Sequence, residues 1–373
     1  MRSSLQRYAP RTGRAVRSLV QLQEAPWRWR VGLEAALALG LPVGLFTLLG
    51  QQPLGLQAAL GSFTALYGAS LARPDRARLL PLVAAGLLLA AALGVLCAGN
   101  LWLTGTCLVV VSGLAGGLVL GYRLGPPGPM MFVLVAAVAG RLTAPVALGG
   151  VGLPGLRLLG LVAVGAALAY LVIVAPLALP SVRRRSLGRG LKTIFPGFSL
   201  PPETVGLALR VVVAVLVAGL LSRPMGAYRS YWVVLSAVAV LQSSPSRRLT
   251  TIRGLHRVVG TVLGILVFEA IWLLHPAGLL AVAVLMLLQG ITEVVVARNY
   301  ALALLFITPM ALLNATLGHP GATLPTVQGR VFDTLLGAGI ALGVFWLGEA
   351  LMYFRTSSAA AQTQGPEDAE EVA

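Results

Sequence analysis

The sequence predicts an all-α, polytopic membrane protein, and three observations predict it. Hydrophobic residues make up 57% of the chain and charged residues 11%, with mean hydropathy +0.86, whereas a soluble domain carries roughly 25% charged residues. Apolar runs of about 20 residues, the length that crosses the hydrocarbon as a helix, recur along nearly the whole chain. The basic residues, all arginine except Lys192, fall mainly in the short gaps between those runs.

Taken in order, residues 1–30 form a basic cytoplasmic N-terminal arm that closes on Trp27 and Trp29, suited to an anionic leaflet. Six helices follow in a first membrane half, 31–179, at about 31–50, 55–72, 79–98, 101–121, 129–149 and 156–179. The polar, proline-rich stretch 180–203 is a cytoplasmic linker. A second half, 204–354, places helices at about 204–222, 226–242, 256–274, 277–297, 299–317 and 331–354. The small, acidic stretch 355–373 is expected to be a disordered tail.

A net charge of +16 and a pI near 11.3 would suggest nucleic acid in a soluble protein. Here orientation explains the charge. With the N-terminus inside, only Arg141, Arg157, Arg223, Arg229 and Arg330 fall on the outer side, and the other basic residues collect on the inner links. That bias predicts cytoplasmic N- and C-termini in the plasma membrane, with the bilayer and not nucleic acid as the partner.

The two blocks read as copies of one unit. Each has an arginine ahead of or inside its first helix (Arg30, Arg210) and an arginine-rich link after its second. Each also has small residues at helical spacing in its third, Gly86, Ala90 and Gly94 against Gly260 and Gly264. An even number of spans per copy keeps both in one orientation, so the copies should be parallel repeats related by a pseudo-two-fold axis along the membrane normal. In such proteins the substrate path lies between the halves near mid-membrane.

In the second half three stretches occur in a set order: SYWVVLSAVAVLQSSPSRRLTTIRGLHRVVGTVLG, ARNYALALLFITPMALL and GRVFDTLLGAGIALG. They resemble the membrane domain of the fusaric acid resistance-like family, which includes the aromatic acid exporters. LQAALGSFTALYG and GPMMFVLVAAVAG stand as looser copies in the first half. The resemblance implies a membrane transporter domain and not an enzyme, with small organic or aromatic acid anions as substrate and secondary efflux as the mode. A passive organic-anion channel and a non-transporting membrane scaffold are the alternatives. Larger members carry a sizeable cytoplasmic domain, where this chain has a linker of about 25 residues. A homo-oligomer is compatible with this reading, and an accessory export subunit is left open.

On a helix, Arg253, Arg257, Gly260 and Gly264 share one face, with His256 beside them. The glycines admit a close helix, so the face should meet protein and not lipid. Arg257 and Arg253 are then expected in an anion vestibule, while Arg247 and Arg248 snorkel to lipid phosphate. Arg210 and Arg141 are further candidates for the anion path. Tyr231 and Trp232 read as an aromatic belt or, given that the family pattern keeps the pair, as a stacking surface for an aromatic substrate.

Ionised groups inside a span usually face a partner or a water-filled cavity. Glu269 and Asp333 are therefore the candidate proton carriers, with an Arg330–Asp333 pair as the structural alternative. Arg141 is expected to pair with Glu269 or to face substrate. Glu34 and Glu293 read as interfacial ion pairs with Arg30 and Arg298. Thr308-Pro309 should bend its helix beside a cavity. GRGLKT lacks the G-K-[ST] of a phosphate loop, so no nucleotide cofactor is expected. His256, His275 and His319 are too scattered to share a metal, and Cys97 and Cys107 are expected to form neither a metal site nor a disulfide.

Overall fold

The computed structural model describes residues 21–363 apart from 186–187, 189, 191–194, 196, 223–230, 243–246 and 318–322. The described residues contain helices and connecting turns, with no strand among them. In chain order they are α1 (Trp29–Leu48), α2 (Gln52–Ala58) running into a 3-10 helix (Ala59–Leu66), α3 (Arg73–Cys97), α4 (Leu101–Gly121) and α5 (Met130–Thr143). Then come α6 (Gly155–Val174), the short α7 (Pro180–Arg185), α8 (Pro202–Leu221), α9 (Tyr231–Leu241), α10 (Arg247–Trp272), α11 (Gly278–Val295), α12 (Tyr300–Leu317) and α13 (Thr323–Thr363).

Nine helices among the described residues are long and apolar enough to cross a membrane. Their outward faces carry leucines such as Leu89, Leu96 and Leu156, at 62%, 77% and 87% exposure. Water disfavours so much contiguous apolar surface, and lipid does not. The chain is therefore a multi-pass membrane protein in contact with the bilayer.

Three expected spans come out differently. The 55–72 run is α2 and a 3-10 helix, buried along much of its length. Gly61 within it lies directly against the backbone of α6 at Val162 and Ala166, so this segment is a packed insert and not a regular span. The 129–149 run stops helically at Thr143, because Ala144 precedes Pro145 and takes an extended conformation. The 226–242 run is described only as α9, since residues 226–230 lie outside the described residues. The arm before residue 21 and the tail after 363 also lie outside them.

In the other direction, α3 begins at Arg73, earlier than hydropathy suggested, with Pro74 in its first turn and the buried Asp75 and Arg76 following. Likewise α10 begins at Arg247, so the arginine-rich stretch from Arg247 to Arg257 is helix throughout.

The helices pair closely: α1 lies along α11, α4 along α8, α3 along α5, α10 along α12, the 3-10 segment along α6, and α9 along α13. Small residues set several of these contacts. A Cβ on Gly32 would sit 2.6 Å from the Gly290 carbonyl oxygen, so α1 and α11 meet backbone to backbone. Cys97 and Cys107, at the junction of α3 and α4, are free thiols whose side chains interact with one another, a proximity that their spacing in the sequence did not suggest.

At the N-terminal ends of α1 and α3 a charged cluster is fully built. Glu34, 5% exposed, accepts from Arg30 at 2.9 Å, Arg73 at 2.7 Å and Arg76 at 2.5 Å. Arg76 is completely buried and also donates to the carbonyls of Tyr67 and Ala65, and Arg73 donates to that of Ile173. Every such bond offsets part of the cost of removing guanidinium from water. Glu34 thus does pair with Arg30, as the sequence suggested, but its main partners come from α3.

Candidate functional site

The site grows from α9. Its described part is 11 residues long, about 16 Å at 1.5 Å per residue, and nearly all of it is buried among α5, α8, α10 and α13. A short apolar helix surrounded by protein makes a central post. Arginines from three neighbouring helices stand along it.

At its first turn, Arg141 at the end of α5 donates through Nη1 to the Tyr231 hydroxyl at 2.9 Å, and its guanidinium lies 5.3 Å from the centre of that ring. Next, Arg330 from α13 lies over the Trp232 ring at 3.8 Å. One turn further, Arg257 from α10 donates to the Ser236 hydroxyl at 3.3 Å and to the Tyr300 hydroxyl of α12 at 2.9 Å. Towards the C-terminal end of α9 Arg253 donates through Nε to the Ala239 carbonyl at 2.9 Å and lies 4.1 Å from the Tyr300 ring centre. Tyr231 to Ala239 spans about 12 Å of helix axis, so the four guanidiniums form a column along most of α9.

Buried arginine is common to this column and the Glu34 cluster; the use of its donors distinguishes the column. Arg257 and Arg330 are 4% and 2% exposed, and they lie within electrostatic reach of each other, as do Tyr231, Tyr300 and Asp333 of Arg330. Their donors are incompletely used. Among the described residues, Arg257 Nε and Arg330 Nε and Nη1 are buried without a hydrogen-bond partner, as are the hydroxyls of Thr261, Thr308 and Thr334 and, away from the column, Arg298 Nε and the hydroxyls of Thr64 and Thr292. Thr261 is one helical turn beyond Arg257, and Thr334 one turn beyond Arg330, so each pair shares a helix face. Unpaired buried donors cost free energy, roughly 1–3 kcal/mol each. Such a cost is expected where the partner is a ligand.

α10 is held where it presents Arg257 by its glycines. A Cβ on Gly260 would lie 2.7 Å from the Ala301 carbonyl oxygen, and one on Gly264 would lie 2.7 Å from both the Leu304 carbonyl oxygen and Thr308 Cβ. α12 therefore approaches to backbone contact, bringing Tyr300 under Arg253 and Arg257. Pro309 lies inside α12, next to the buried Thr308.

Of the residues that the sequence singled out, Arg141, Tyr231, Trp232, Arg253, Arg257, Arg330 and Asp333 come together. His256 is buried beside them on α10. Two do not join them. Arg210 is engaged with Glu349 at 2.6 Å and lies over Phe345 at 4.7 Å. Glu269 sits on an exposed part of α10, so Arg141 meets Tyr231 where a pairing with Glu269 was one expectation. Tyr300 and Ser236 were missed as partners of Arg257. The tyrosine stands in the stretch ARNYALALLFITPMALL that carries the family resemblance, which was the available signal.

Most of this column comes from one continuous part of the chain. Residues 200–344 match the fusaric acid resistance protein-like family model. Every column residue except Arg141 lies inside this matched segment. A Bacillus subtilis relative described as an uncharacterized membrane protein, YvaC, is 33% identical over 152 residues, 40% of this chain and 23% of the relative. An uncharacterized protein of Haemophilus influenzae is 32% identical over 111 residues, 30% of this chain and 15% of its own length. A third, from Synechocystis, is 31% identical over 140 residues, 37% of this chain and 18% of the relative. The chain thus spans less than a quarter of the length of these bacterial relatives. No solved structure matches it.

Proposed function

We propose that this protein is a secondary transporter that exports small organic or aromatic acid anions across the bacterial plasma membrane, with the arginine column as the anion path. The observation that carries the reading is the set of buried, unused donors on Arg257 and Arg330. A carboxylate accepts from guanidinium in charge-assisted, often bidentate bonds, and the rings of Trp232, Tyr231 and Tyr300 offer aromatic neighbours to a planar acid.

Helix pairing supports the two-repeat arrangement. The third and fifth helices of each block pack together (α3 with α5, α10 with α12), as do the second and sixth (the 3-10 segment with α6, α9 with α13). The first helix of each block packs on the fourth of the other, α1 on α11 and α8 on α4, as a two-fold axis along the membrane normal requires. Arg141 to Tyr231 then joins the two halves beside the path. The burial of Arg257 and Arg330 favours a carrier that opens alternately over a permanently open channel. Asp333, which faces the column, is the group positioned to carry a proton, and Glu269 on its exposed face is not.

A growth-inhibition panel tests the substrate class. Cells expressing the protein should tolerate higher concentrations of benzoate-like aromatic acids than cells without it, and Arg257→Gln should abolish that advantage. Equal inhibition with and without the protein across aromatic and aliphatic acids would remove this function.

A further inference from the structure

The charge balance of the column has a consequence for how such a carrier can turn over. Four arginines line α9, and Arg257 and Arg330 are almost wholly buried. Arginine does not deprotonate at any relevant pH. Among the described residues the carboxylate within reach of the column is Asp333. The other acids of the membrane region are committed elsewhere or face outward: Glu34 to Arg30, Arg73 and Arg76, Asp75 to Arg78 and the Gly190 amide, Glu349 to Arg210, Glu293 of α11 accepting from Gln289 and within reach of Arg28 and Arg76, and Glu203 and Glu269 exposed. The column is left with surplus positive charge at membrane depth, where uncompensated ions are strongly disfavoured.

Resting on the export reading above, we propose that the column is never empty during transport: an anion is resident at Arg257 and Arg330 in every occluded state, and the protein works as an obligate anion exchanger. An organic acid leaves only as another anion takes its place. The donors suited to holding the resident anion are Arg257 Nε, Arg330 Nε and Nη1, with the Thr261 and Thr334 hydroxyls on the same helix faces. An empty column would have to close around unneutralised guanidiniums, so the unloaded return step is slow. Asp333 alone does not change this balance, because protonating it increases the surplus.

The test uses the purified full chain in proteoliposomes loaded with labelled benzoate, with the membrane potential clamped by potassium and valinomycin. Exchange predicts that efflux into external unlabelled benzoate is at least about tenfold faster than into external lactobionate, which is too bulky to enter. Efflux at equal rates in the two media would overturn the proposal. Arg330→Gln lowers the charge surplus, so the ratio between the two media should fall toward one; a purely structural arginine would change both rates together and leave the ratio intact. Occupancy is read separately, by the rise in melting temperature of the detergent-solubilised protein with benzoate. Stabilisation without efflux in either medium would remove the transport reading while supporting the resident anion. Neither stabilisation nor efflux would overturn both.

Discussion

At the scale of single residues, two buried arginine sites follow opposite logic. Arg76 is surrounded by acceptors and serves the fold. Replacing Glu34 by glutamine would leave Arg73 and Arg76 without their carboxylate, and the expected loss is about 3–5 kcal/mol, measured as reduced melting temperature and poor expression. Arg330 keeps two nitrogens unused. Removing an unsatisfied buried charge costs little or stabilises, so Arg330→Gln should melt at or above the wild-type temperature while transport falls. That combination marks a residue kept for function at the expense of stability; a large fall in melting temperature would instead make Arg330 structural. Tyr231→Phe removes one acceptor for Arg141 and should cost about 0.5–1.5 kcal/mol in a thermal or denaturant melt. Sequence reasoning found most column residues because charges inside apolar runs are rare. It included Glu269 and Arg210 for the same reason, since depth along a helix does not say which face a side chain takes or whether a partner such as Glu349 waits across the contact.

At the scale of elements, the column depends on how closely α10 meets α12. Gly260→Val would force the two helices apart at Ala301 and Leu304. The expected cost is about 1–3 kcal/mol, with Arg257 displaced from Tyr300 and transport reduced. The same substitution at Gly339, whose added Cβ would meet nothing within 4 Å, should leave packing unchanged and is the control. Helix existence was largely legible from hydropathy, and the packing face of α10 from glycines four apart. Two kinds of segment were not. The α2 and 3-10 insert looks like a span by hydropathy because a segment buried in protein is as apolar as one buried in lipid. The starts of α3 and α10 were set too late because Arg76 and Arg253 are polar by type, and only their tertiary partners make burial tolerable.

At the scale of the whole molecule, the two halves divide the work. The first contributes the Glu34 cluster, which clamps α1 to α3, together with one arginine of the path, Arg141. The second contributes α9 and the remaining arginines around it. Both clusters gather arginine, but of the two only the second leaves guanidinium nitrogens buried without a partner among the described residues, and the proposed path rests on that combination of clustered charge and unmet hydrogen bonding. The order of motifs suggested the proposed repeat, while the crossing pairs α1 with α11 and α8 with α4 required three dimensions.

The most direct test of the central claim is benzoate efflux from proteoliposomes under exchange conditions for four proteins: wild type, Arg257→Gln, Arg330→Gln and Glu269→Gln. The column account predicts that both arginine variants lose at least about tenfold in rate, a loss of one charge-assisted contact, while the exposed Glu269→Gln stays close to wild type. Wild-type efflux from both arginine variants would contradict it.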